Sequence, residues 1–93
     1  MEPLLLDISG IEIPFFFGLS AKIAFEDEFD KPAPTTLKET LQMHYTNYKE
    51  GCRLRKTQVQ LSFEEFVDLL DKDMTVNLEK LNDAIQKFAD QKK

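Results

Sequence analysis

Apolar and polar positions alternate at the start of the chain. Leu4-Leu5-Leu6-Asp7-Ile8 and Ile11-Glu12-Ile13-Pro14-Phe15-Phe16-Phe17 flank Ser9-Gly10. Ile11, Ile13 and Phe15 share one face at period two, with Glu12 opposite, and Gly10 accepts the positive φ that a hairpin turn requires. Pro14 has no N–H for a ladder, so this strand has an exposed edge there or ends early. The pattern predicts a β-hairpin over residues 4–17.

After Gly18 the spacing becomes helical. Leu19, Ile23 and Phe29, with Ala24 and Phe25, predict a helix near 19–30. Glu26, Asp27, Glu28 and Asp30 crowd its end, where acidic groups oppose the macrodipole. Lys31-Pro32-Ala33-Pro34 breaks it. Thr35 or Thr36 caps the next helix, Glu39 stands three residues after Thr36 in a capping-box arrangement, and Leu37, Leu41, Tyr45, Tyr48 and Cys52 continue as a stripe. Gly51 is the expected stop, giving a helix near 36–51. Arg53–Gln60 is polar and basic and reads as a loop, with a brief extended piece where Thr57, Val59 and Leu61 alternate. Ser62 and Glu65 repeat the capping box, with Leu61 and Phe66 placed to staple across it. The helix that follows, near 62–72, buries Phe63, Phe66, Val67 and Leu70. Leu78, Leu81, Ile85 and Phe88 define a last helix near 76–90, capped from Thr75 or Asn77. The expected fold is a single α+β domain over residues 1–93, predominantly helical, with the hairpin at 4–17 and a helical part at 19–91.

Composition sharpens this. Ninety-three residues support one core, and the 42% hydrophobic fraction is ample to form it. Seventeen acidic residues against 12 Lys and Arg leave a net charge of −5. Nucleic-acid binding relies on a basic surface, and the only basic clusters are Arg53-Arg55-Lys56 and the terminal Lys92-Lys93, so no nucleic-acid partner is expected. A lone Cys52 excludes an internal disulfide and fits a reducing compartment. The apolar runs Leu4–Leu6 and Ile13–Phe17 are too short to span a bilayer. Met1-Glu2-Pro3 and the interrupting Asp7 do not fit a secretory signal. A cytoplasmic, soluble protein with no membrane association is the expectation.

Chemistry finds little to stand on. His44 and Cys52 sit eight residues apart in one helix, about 12 Å along its axis, too far for a dyad. The Glu26–Asp30 cluster lacks the ligand alternation and central Gly of a calcium loop. One His and one Cys do not make a zinc site within a chain. Gly10, Gly18 and Gly51 are too scattered to cradle phosphate. No catalytic residue, metal or cofactor is expected, and the protein reads as a binder. Phe15, Phe16 and Phe17 are its first candidate contacts, since consecutive residues on a strand point to both faces and one ring should face outward. Tyr45 and Tyr48 are the other aromatic candidates. An outward ring or a free hairpin edge should also favour self-association into a homo-oligomer.

The succession of features resembles one family. A hairpin runs into Phe16-Phe17-Gly18-Leu19, and a helix carrying Phe25-Glu26 ends in acid. A second helix closes on Tyr48-Lys49-Glu50-Gly51-Cys52-Arg53, and a basic loop leads to Leu61-Ser62-Phe63-Glu64-Glu65-Phe66-Val67-Asp68-Leu69-Leu70-Asp71. From about Ile8 to Phe88 the chain resembles the tail assembly chaperones of long-tailed bacteriophages. That resemblance implies a host-cytoplasmic helper absent from the mature virion. It would coat the long apolar tape-measure protein, keep it soluble, and yield to tail tube subunits. Relatives made in two lengths by ribosomal slippage give Gln91-Lys92-Lys93 a further reading, since lysine codons there can form a slippery run. The resemblance transfers no catalytic residue. A small acidic regulatory protein, such as an antitoxin or a phage-encoded inhibitor, is the alternative, and a structural tail component is a third.

Overall fold

The computed structural model describes residues 2–91, so the reading of Lys92-Lys93 lies outside the described residues. Ser9 and Gly10 both take positive φ, 51° and 88°, the combination of a type I′ turn. Asp7 Oδ1 accepts the Gly10 N–H at 2.8 Å. The turn closes β1 (Leu4–Ile8) on β2 (Ile11–Phe15), antiparallel, with Ile8 opposite Ile11, Leu6 opposite Ile13 and Leu5 opposite Pro14. With a two-residue turn the Ile8–Ile11 pair is the hydrogen-bonded one, and pairs alternate from there. Pro14 therefore falls where backbone groups point away from β1, and its missing N–H costs the ladder nothing.

Four helices follow: α1 (Leu19–Phe29), α2 (Leu37–Arg55), α3 (Phe63–Asp71) and α4 (Met74–Gln91). The fold is α+β and predominantly helical, as the pattern predicted. Both capping boxes form, Thr36 with Glu39 and Ser62 with Glu65. Gly51 does not end α2, which runs four residues further to Arg55. Arg53 and Arg55 favour the negative end of the dipole there, and Lys56 at φ 58° closes the helix with its N–H on Arg53 and Cys52 carbonyls. The segment after it, 57–61, pairs with no strand. α4 starts earlier than predicted because only Lys72 and Asp73 separate it from α3. Buried Asn77 makes that tight junction possible: its Nδ2 donates to the Leu69 and Leu70 carbonyls at the end of α3 and to Ser9 Oγ at 2.8 Å.

One face of the hairpin carries Ile8, Ile13 and Phe15 into the core, where Tyr48 and Cys52 of α2, Phe66, Leu69 and Leu70 of α3, and Leu81 and Ala84 of α4 meet them. Tyr48 and Phe66 stack with centroids 5.8 Å apart. Beyond Phe15 the chain leaves the sheet and docks on α2, the Phe16 N–H donating to the Asn47 carbonyl at 3.0 Å.

Candidate partner-binding surface

None of the three consecutive phenylalanines faces solvent: Phe15, Phe16 and Phe17 are all buried. The expectation of an outward ring is corrected. β2 stops at Phe15, so strand alternation does not govern the next two residues. Phe15 turns into Tyr48 and Phe66. Phe16 and Phe17 both meet Phe88 of α4 edge-on, at 5.8 and 6.3 Å. The hairpin's edges are engaged as well. Pro14 rests against α2 at Gly51, and Lys80 Nζ donates to the Asp7 carbonyl on the β1 side at 2.7 Å. A lysine on an exposed edge discourages pairing with another strand.

Tyr45 and Tyr48 act on the chain itself. The half-buried Tyr45 donates its hydroxyl to the Leu61 carbonyl at 2.7 Å. The Tyr48 oxygen accepts from the Gln60 and Leu61 N–H groups at 3.0 and 3.2 Å. Together they fasten the segment between α2 and α3. Burial pushes both phenols above their ordinary range, so each keeps its proton.

The titratable groups do not converge. His44 is buried, its Nδ1 lacks a hydrogen-bond partner, and burial lowers its pKa, so it is neutral near pH 7. Cys52 is free and buried in the core. Glu39 is held down to about 2, chiefly by the Lys31 ammonium at 2.7 Å and then by Thr35, which is cap and ion-pair chemistry. Among the described residues, no group of three or more His, Cys, Asp and Glu is placed to hold a metal ion. A groove of about 340 Å³ lies between β2 and the 57–61 segment, with Glu12 and Arg55 as its charged walls and Tyr48 and Cys52 at its back. It holds no nucleophile with a base beside it.

Leu37 of α2 and Met74 of α4 are exposed as well, but α1 is apolar on two opposite sides. Ala21 and Phe25 are buried and Phe29 is half-buried, the ladder that packs inward. Leu19 and Ile23 form a second ladder and are 66% and 59% exposed. Sequence reasoning merged the two into one stripe. Positions 21, 25 and 29 recur every four residues, as do 19 and 23, and at about 100° per residue the two sets point apart. That offset was the available signal.

No protein family matches the chain, and neither the curated proteins nor the solved structures contain a detectable relative. Among the described residues no helix is long and apolar enough to cross a membrane.

Proposed function

We propose that this chain is a non-enzymatic binding protein that covers an apolar helical partner, and specifically a tail assembly chaperone for a phage tape-measure protein. The observation that carries the binding reading is α1: Leu19 and Ile23 stand in solvent at helical spacing, opposite the residues that fix the helix to the core. A helix that only completed a core would present a polar outer face. Helix-in-groove recognition uses apolar anchors at i and i+4, which is the spacing on offer. The net charge of −5 would keep a coated apolar partner in solution. The order of hairpin, aromatic run and acidic helix end supports the phage assignment. In that role the protein works in the bacterial cytoplasm, yields to tail tube subunits, and is left out of the virion.

Co-expression tests it. With the tape-measure protein encoded beside this gene, the chain should move a large share of that protein from the pellet to the soluble fraction. An unchanged soluble yield contradicts the assignment.

A further inference from the structure

The outer ridge of α1 has a direction. At about 100° per residue, positions 19, 23 and 26 fall within an arc of about 60°, opposite the buried Ala21 and Phe25, and Asp30 follows as the left-handed cap of the helix. Along the ridge the residues read Leu19, Ile23, Glu26, with Asp27 on one flank, Lys22 on the other and Asp30 at the cap, and all six are exposed. The ridge is apolar at the start of the helix and acidic at its end, the two halves separated by about 10 Å at 1.5 Å per residue.

The acids of this ridge differ from their neighbours. Glu28 pairs with Lys49 at 3.4 Å and Glu39 pairs with Lys31 at 2.7 Å, while Lys22 lies one turn before Glu26 on α1, outside these pairs. Glu26, Asp27 and Asp30 have no ion pair among the described residues. No basic residue occupies the last turn of α1, so its carbonyl end, already negative, carries uncompensated acid. The end of the ridge is net negative, three acids against the one Lys22 further back, and a charge excess beside an exposed apolar pair selects a partner of the opposite sign.

We infer that the α1 ridge is a docking surface for a basic amphipathic helix. That helix would set neighbouring apolar side chains against Leu19 and Ile23, and lysines or arginines about 10 Å further along against Glu26, Asp27 and Asp30. This rests on the binding reading above and adds the surface, the partner's charge and the order of its groups. The apolar pair supplies most of the affinity, and the rim acids supply selectivity and salt dependence.

Two designed helices serve as probes. Both carry one leucine stripe, followed by a lysine block in the first and a glutamate block in the second. Titration of the full chain by fluorescence anisotropy should show the lysine helix binding at least about tenfold more tightly at low salt, the preference shrinking as salt is raised. The triple change Glu26→Gln, Asp27→Asn and Asp30→Asn should bring the two helices to within about twofold of each other. Leu19→Ser with Ile23→Ser should weaken both by about tenfold or more. Circular dichroism should stay unchanged, because these side chains are exposed. Equal affinity for both helices, or variants that bind like the parent chain, overturns the ridge while leaving the binding reading intact. A Leu19/Ile23 variant that halves the mass seen by light scattering without any probe also overturns it, because the ridge is then a contact between copies. A parent chain that binds neither helix and leaves the tape-measure protein insoluble overturns both readings.

Discussion

Gly51 and Pro14 touch backbone to backbone. A Cβ at Gly51 would lie 2.6 Å from both the carbonyl carbon and the carbonyl oxygen of Pro14. The glycine is therefore a contact that lets α2 lie against β2. Gly→Ala inside a helix ordinarily adds about 1 kcal/mol through propensity. Here Gly51→Ala should have the opposite sign, a net loss of about 1–3 kcal/mol from overpacking. Urea denaturation measures it. A stabilised variant would contradict the contact.

Tyr45 and Tyr48 are expected to behave as fasteners. Tyr45→Phe and Tyr48→Phe should each cost about 0.5–1.5 kcal/mol, the worth of a hydrogen bond in a partly buried site. Amide exchange at Gln60 and Leu61 should accelerate in Tyr48→Phe, because those N–H groups lose their acceptor. The double variant should fall short of the sum, since both residues hold one segment. Unchanged exchange there would contradict this role.

What the sequence revealed was whatever local chemistry decides. Ser9-Gly10 set the turn, and Thr36-Glu39 and Ser62-Glu65 set two helix starts. Each depends on residues within four positions. Gly51 misled because glycine marks both helix ends and close approaches, and only the folded chain brings Pro14 beside it. Phe16 and Phe17 misled because their rings answer to Phe88, more than seventy residues on. The Asn77–Ser9 bond was illegible for the same reason. On α1 the candidate surface was present in the spacing, but which ladder faced inward depended on where the rest of the core lay.

Acid should destabilise the fold, beginning with His44. Burial lowers the His44 pKa from 6.5, so the unfolded chain binds a proton that the folded chain refuses. The stability this contributes is complete above pH 6.5 and declines as pH falls below it, until the lowered folded value is reached. Glu39 and Glu65 are shifted down from 4.5, so their contributions are lost only below that value. The melting temperature of the parent chain should therefore begin to fall as pH drops below about 6.5, ahead of the carboxylate contributions, and fall less in His44→Gln. Equal slopes would contradict a neutral buried His44.

Glu26 and Asp27 should trade stability for binding. Both sit in the last turn of α1 at the negative end of its dipole. Glu26→Gln and Asp27→Asn should each stabilise the free protein by about 0.3–1 kcal/mol at low ionic strength. Thermal melts at low and high salt check it, the gain diminishing as salt is added. Loss of stability on neutralisation would mean that these acids serve the fold.

The central claim is that the partner sits on the outer side of α1, and amide chemical-shift mapping tests it most directly. The isotope-labelled chain would be titrated with a soluble apolar segment of the proposed partner, a tape-measure protein. Shifts should concentrate between Leu19 and Asp30, with the amides of α4 and of the 57–61 segment close to their free positions. Shifts confined to α4, or to the groove between β2 and the 57–61 segment, with α1 unmoved, would contradict the account.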